Sequence, residues 1–360
     1  MRILPFRPWI AKESVTQNLE KFTSQLQDNF PAKKTKKMFQ VPGAPILLLH
    51  QIQEGDRTFR GIICLTDLRF RLAEKIFPHE ATLISKERDI RKRIEMNKAM
   101  LKPVLLTHEP IVKLNSLLDD LQRRELLVQY RISGQILHTF WQIDSKKEIQ
   151  EICAAFDTLN HVFLADGHHR YASTLKLFEG EKQIPYLMTT YFDFDNLQIL
   201  PYHRILTNAL KICPDLEDRL SEVADLQPTN QAVKPRSTHE MALILGQNTF
   251  SFRWKSQVLN TFKMTHKNNL DTHVLNKLVF EEICGIRDSR TSSYIKYIDG
   301  RTELSQFSKR VRRSKQTAGF FLHPISGPKF VELSMDGQML PPKSTWFEPR
   351  ILKGLIIHKF

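Results

Sequence analysis

The stretch LADGHHRYAST, residues 164–174, decides how this chain is read. An Asp-Gly pair and three basic side chains, His168, His169 and Arg170, follow the apolar run HVFLA. The pattern predicts a strand ending at Ala165, a turn at Asp166-Gly167 and a helix beginning near His168 or His169. The first N–H groups of such a helix have no intrahelical acceptor and carry the positive end of the dipole. Gly167 can take positive φ and turn successive N–H groups into a nest for anionic oxygens. His168, His169 and Arg170 add donors on the same turn, and a guanidinium grips phosphate bidentately. The stretch therefore predicts a phosphate-facing turn, although neither GxxxxGKS nor GxxxxGKT occurs. Asp166 would repel phosphate unless a divalent metal or a hydroxyl faces it, which makes it a candidate metal ligand or general base. Its commonest use before a helix is as an N-cap. Adjacent histidines on one turn point apart, and no third ligand stands nearby in the sequence to make a local metal site.

Around this junction the chain reads as α+β, a mixed sheet with interleaved helices, because strands and helices alternate without a strict βαβ rhythm. PILLLHQIQ (45–53) and TFRGIICLTD (58–67) predict two strands, and residues 68–98 read as helical with an interruption at Pro78. VKLNSLLDDLQRR (112–124) predicts a helix with Leu114, Leu117, Leu118 and Leu121 on one face. Residues 125–144 predict a hairpin around Ser133-Gly134. In SKKEIQEICAAFDTL (145–159), Ser145 and Glu148 have the spacing of a capping box. Further on, paired strands are expected in 186–206 and 242–254, a helix at 271–283, and a closing loop PPKSTWFEP. Two lobes are expected, 1–190 carrying the turn and 191–360 carrying that loop, unless one domain is continuous.

Composition limits the function classes. With 360 residues, 41% of them hydrophobic, the chain can bury a sizeable core. No run approaches the roughly 18 apolar residues of a membrane span, so no membrane association is expected. Cys64, Cys153, Cys213 and Cys284 show no CxxC spacing, which argues for a cytoplasmic, reduced protein without a zinc ribbon. The formal net charge of +14 is concentrated in KKTKK (33–37), KERDIRKR (86–93) and KRVRRSK (309–315). Such an excess attracts phosphate-bearing partners, nucleic acid or nucleotide, or else lies on solvated helix faces. No helix-turn-helix, zinc finger or aromatic RNA-binding signature accompanies it.

ADGHHRYAST, with HTFWQID (138–144) before it and LPPKSTWFEP (340–349) after it, resembles the bacterial and archaeal family named domain of unknown function 1015. The resemblance runs along nearly the whole chain through PFRP (5–8), PHEAT (78–82), PYHRIL (201–206) and LDTHVLNKL (270–278). The chain departs from the family in LISKERDIRKR, where an acidic segment is usual. DGHHR is also similar to the short motif of ParB-like and sulfiredoxin-like nucleotide-binding proteins, a group that includes kinases of free serine. That similarity implies a nucleotide site with Asp166, Gly167, His168, His169 and Arg170 as the phosphate-facing turn, and does not by itself identify the base.

Two further stretches could complete such a site. Glu80 in FPHEAT is a candidate general base or magnesium ligand, because a hydroxyl nucleophile needs a carboxylate within reach. The plain alternative is a capping or salt-bridge residue on a charged helix. In PPKST, Lys343, Ser344 and Thr345 offer one ammonium and two hydroxyls to a phosphate, or else form a rigid anchor. His203 reads as a satisfied buried histidine. The resulting expectation is a phosphotransferase using ATP or ADP with Mg²⁺ on a small hydroxyl substrate such as free serine. Its rivals are a ParB-like nucleotide-binding, DNA-associated module and a metal-dependent hydrolase with His79, His168 or His169 as ligands.

Overall fold

A computed structural model describes the chain except for residues 19–21, 24–25, 27–35, 70–74, 133–134, 180–184, 267 and 290. The hairpin tip Ser133-Gly134 and residues 33–35 of the first basic cluster therefore lie outside the described residues. Two units are present: Met1–Gln198 with Pro349–Phe360, and Ile199–Glu348. The division thus follows Gln198 rather than residue 190. The last residues rejoin the first unit because their strand, Ile356–Lys359, pairs with Trp9-Ile10 and Ala99-Met100.

In the first unit, short strands β1 (Ile3–Leu4), β2 (Trp9–Ala11) and β3 (Phe39–Gln40) precede β4 (Leu47–Glu54) and β5 (Arg57–Asp67). Next come β6 (Ile76–Phe77), α1 (Ile84–Asn97), β7 (Ala99–Met100), β8 (Val104–His108) and α2 (Val112–Gln122). The hairpin β9 (Val128–Ile132) and β10 (Ile136–Ile143) leads to α3 (Lys146–Asp157), β11 (Val162–Asp166), α4 (His168–Glu179) and β12 (Tyr186–Asp193). The main sheet runs β6-β11-β8-β12-β5-β4-β10-β9, with β1 beside β5. It is mixed: β6 with β11 and β8 with β12 are parallel, and its other neighbours are antiparallel.

Apolar side chains cover both faces of this sheet, as an all-buried run such as LLLH in β4 demands. Leu47 and Leu49 pack with Leu114, Leu118, Ile152 and Phe156 of α2 and α3 on one side. Leu48 and Ile63 pack with Phe140, Ile356 and Ile357 on the other. Two local expectations fail. Residues 68–98 contain the strand β6 as well as a helix, since two strand residues carry no readable period. Ser145 occupies the N-cap of α3 but makes no capping bond, and Glu148 is drawn instead to the guanidinium of Arg124 at 2.5 Å. A charge-assisted pair outcompetes the neutral capping box.

The second unit holds β13 (Gln198–Leu206), β14 (Ala224–Pro228), β15 (Glu240–Leu245), β16 (Asn248–Trp254), β17 (Ile295–Asp299), β18 (Ala318–Leu322) and β19 (Thr345–Glu348). They form one sheet in the order β14-β16-β15-β18-β13-β17, with β19 on β13. The helix expected at 271–283 is one α-turn, Asp271–Val274, continued as a π-helix, Leu275–Ile283. The fold is α+β with mixed pairing.

Candidate functional site

Strand pairing builds the site. β6 and β11 are parallel, with Ile76 opposite Val162 and Phe77 opposite Phe163. Their carboxyl ends therefore lie side by side, so His79 and Glu80 leave the sheet beside Asp166, Gly167 and His168. Carboxyl ends of parallel strands are where open α/β sheets collect ligands. β8 runs the other way beside β11, which brings Lys102, two residues before Val104, to the same end. The register slips between Leu164 and Asp166, a bulge of the kind that re-aims a side chain next to a site.

Gly167 has φ +107°, and a Cβ there would lie 2.6 Å from Arg170 Nη2. Glycine is favoured here by the left-handed turn, and the Arg170 guanidinium folded over it would have to shift to admit a Cβ. Helix α4 is held against α1: Lys176 Nζ meets Glu87 Oε2 at 2.5 Å, and Ser173 Oγ donates to the Glu87 carbonyl at 3.1 Å.

Asp166 Oδ2 accepts from Arg170 Nη2 at 3.0 Å and lies 3.3 Å from Lys102 Nζ, while Oδ1 lies 3.5 Å from Arg350 Nη1. Burial acts to raise the Asp166 carboxyl, but the charges of Arg170, Lys102 and Arg350 outweigh it and hold it well below the usual carboxylate range. Burial, opposed by Asp166 and aided by Arg170 and Arg350, pushes the Lys102 ammonium down to about 8. A carboxylate held this firmly in its ionised form is a poor proton acceptor, and its oxygens already face three cations. Asp166 accordingly gathers three cations at this turn.

Beside these cations opens a cavity of about 270 Å³, near the lower end of small-molecule sites. Arg93, Lys102, Arg170 and Lys353 line it, together with an apolar wall that includes Ile94, Met100, Leu187 and Met188. Arg170 Nε is buried and meets no acceptor among the described residues.

The two histidines before Arg170 face elsewhere, because residues one and two apart on a helix are turned by roughly 100° and 200°. His168 meets His79 edge to face, with ring centroids 4.4 Å apart and planes at 86°. The His79 N–H lies 3.4 Å from His168 Nε2. One ligand atom from each of His79, Glu80 and His168 lies within 4.8 Å of the others. Burial lowers His79 well below the usual range, with the neighbouring His168 adding to the effect, and burial pushes His168 down to about 4. Both rings are neutral at physiological pH. His169 turns to α1, where its Nδ1 accepts from the N–H of Leu83 at 3.4 Å. That donor is the kind a helix start leaves unsatisfied, although the contact is as long as the one between His79 and His168.

Lys343, Ser344 and Thr345 belong to the second unit. Ser344 Oγ donates to the Pro341 carbonyl at 2.6 Å and lies 3.0 Å from Thr272 Oγ1. Lys343 Nζ lies over the Tyr202 ring at 5.0 Å, and its carbonyl accepts from Arg204 Nη2 at 2.9 Å. Ser344 and Thr345 are buried, and Trp346 Nε1 donates to Glu348 Oε1 at 2.6 Å. In this loop the Ser344 hydroxyl is engaged within the second unit.

Lys102, Arg350 and Lys353 escaped the sequence reading, whereas Arg93 closes the basic run KERDIRKR (86–93) already read as attractive to phosphate. Lys102 and Arg350 flank prolines at element ends, Lys102-Pro103 and Pro349-Arg350, and that placement was the only signal available.

The family model described as Protein of unknown function (DUF1015) matches residues 10–275. Among solved structures, a mutant free serine kinase in complex with AMP is similar at 14% identity and a TM-score of 0.43, covering 81% of this chain and 91% of that one. SbnI with a C-terminal truncation, from Staphylococcus aureus, is similar at 13% identity and a TM-score of 0.42, covering 81% and 85%. A conserved hypothetical protein from Pyrococcus furiosus is similar at 14% identity and a TM-score of 0.39, covering 81% and 95%. Likenesses this distant transfer no activity. No curated protein matches the chain.

Proposed function

The chain belongs to the DUF1015 family, and on that premise we propose that it is a nucleotide-dependent phosphotransferase acting on a small hydroxyl substrate such as free serine. The cavity beside the Asp166–Arg170 turn carries this reading, because it joins an apolar wall to four cationic side chains. A nucleotide base would lie against Ile94, Met100, Leu187 and Met188. The phosphates of ATP or ADP would meet Lys102, Arg170, Arg93 and Lys353 and the first N–H groups of α4. Phosphoryl transfer needs positioning and charge neutralisation more than covalent chemistry, and these groups supply both.

Glu80 does not line the cavity; the parallel pairing brings it beside His168 at the same end of the sheet, and as the carboxylate that receives the hydroxyl proton it would require the substrate to lie between it and the cavity. Mg²⁺ would be held mainly through phosphate oxygens, since Glu80 offers one carboxylate among imidazoles, a poor set for a hard ion. The test is turnover of ATP and ADP with Mg²⁺ against a panel of amino acids and small alcohols, with Arg170→Ala alongside. Substrate-dependent turnover that the variant loses supports the reading. Absence of nucleotide binding removes it.

One observation favours a second reading, a DNA-associated nucleotide-binding module. Lys309, Arg310, Arg312, Arg313 and Lys315 are all exposed at one end of the helix Leu304–Val311. Retention on DNA that weakens steeply with salt, with no turnover on any substrate, would favour it.

A further inference from the structure

We propose that His79, Glu80 and His168 form a binding site for a divalent transition-metal ion of the zinc class, with at least one coordination position left for water or substrate. The proposal needs only these three side chains and does not depend on the nucleotide reading. Among the described residues they are the one group of His, Cys, Asp and Glu whose ligand atoms lie close enough together to share an ion. Local sequence does not assemble them: His79 and His168 are 89 positions apart and meet because β6 and β11 run in parallel.

The donor set chooses the metal. Two imidazole nitrogens and one carboxylate oxygen suit zinc, cobalt, iron or manganese, whereas magnesium and calcium take oxygen ligands. The rings are also held in place. A hydrogen bond to the Leu164 backbone orients His79, and the edge-to-face contact fixes His168 against it. An outer partner on a ligating histidine is the usual way its tautomer and direction are set. The 3.4 Å contact between the His79 N–H and His168 Nε2 is long for a hydrogen bond, so exchanging it for an ion costs little.

Three protein ligands with an open position is the pattern of a catalytic site, while structural zinc sites are closed by four. Glu80 is partly exposed where both histidines are buried, so approach would be from the carboxylate side. A monodentate Glu80 would keep its second oxygen for a substrate proton. The ion would lower the pKa of a hydroxyl or water bound in the open position. The plain alternative is a pair of packed neutral histidines with a neighbouring acid and no ion.

The experiment uses the full chain stripped of metal. Zn²⁺ is titrated by calorimetry, and Co²⁺ by visible absorption, which reports the ligand set directly. Stoichiometric zinc binding, with cobalt absorption typical of a low-coordinate nitrogen and oxygen site, is expected. Glu80→Gln and His168→Gln should each weaken zinc by more than about 10-fold, the loss seen even for outer partners of ligands. Thermal melts of the metal-free variants establish that they are folded, and Glu80→Gln, at a partly exposed position, keeps the test decisive if His168→Gln unfolds. A folded wild-type protein that binds neither ion, or a folded Glu80→Gln with wild-type zinc affinity, overturns the proposal. Nucleotide binding is read separately on the same samples, so failure of one reading is visible apart from the other.

Discussion

Lys102 Nζ stands 3.3 Å from Asp166 Oδ2, although Lys102 lies in the connection before β8 and Asp166 at the end of β11. Antiparallel pairing of β8 with β11 sets the start of one strand beside the end of the other, and Asp166 turns that adjacency into a cluster of cations. Replacing Asp166 with Asn leaves Lys102, Arg170 and Arg350 facing a neutral amide. The expected cost is about 2 kcal/mol, less than for a fully buried pair because the carboxylate side chain is 22% exposed. Chemical denaturation of Asp166→Asn against wild type measures it, and an unchanged midpoint would show that the cluster does not need its anion.

Gly167 is the second pressure point. Alanine there must hold φ near +107° and would place its Cβ 2.6 Å from Arg170 Nη2. Backbone strain of this kind costs about 1–3 kcal/mol. Gly167→Ala should melt earlier and bind nucleotide more weakly, since Arg170 must move. A variant with wild-type stability and affinity would contradict this placement of the guanidinium.

The Lys102 ammonium gives the site a pH dependence. Burial pushes it down to about 8 from an ordinary 10.5, and Asp166, Arg170 and Arg350 face it. Below about 8 it is charged and attracts phosphate; as pH rises past that value the charge is lost and nucleotide affinity should fall. The effect on stability has the opposite direction. Between about 8 and 10.5 the unfolded chain binds the proton more tightly than the folded one, so this group makes stability rise with pH across that window. Lys102→Met should remove both trends, and calorimetric titrations with denaturant melts on either side of pH 8 read them.

Ser344 tests whether the PPKST loop serves as an anchor. Its hydroxyl bonds the Pro341 carbonyl and approaches Thr272. Ser344→Ala should lower stability by about 1 kcal/mol through the lost hydrogen bond and leave nucleotide affinity unchanged. A large loss of affinity without loss of stability would return the loop to the site.

Legibility followed the range of the interactions. The β11–turn–α4 junction could be read because an apolar strand, a glycine and a helical segment are contiguous in LADGHHRYAST. The cations around it could not: Lys102 and Arg350 arrive from element ends whose own neighbourhoods say nothing of Asp166. His79 and Glu80 could be named singly in the sequence but not joined to His168, because they meet it across a parallel pair whose strand, Ile76-Phe77, is too short to show a period. PPKST displays polar side chains but not their directions, and Ser344 spends its hydroxyl three residues back. Glu148 matched a capping box by spacing, yet a guanidinium brought in by the fold won it.

ADP binding to wild type and to Arg93→Ala, measured by calorimetry with thermal melts of both, tests the nucleotide reading most directly. Arg93 is exposed on α1 and lines the cavity, so its removal should leave the melt nearly unchanged, as surface substitutions do. If phosphate lies where proposed, losing one charge-assisted hydrogen bond worth about 1.5–3 kcal/mol weakens ADP by about tenfold or more. A wild-type protein that does not bind ADP, or a variant that binds it equally well, would contradict the nucleotide site.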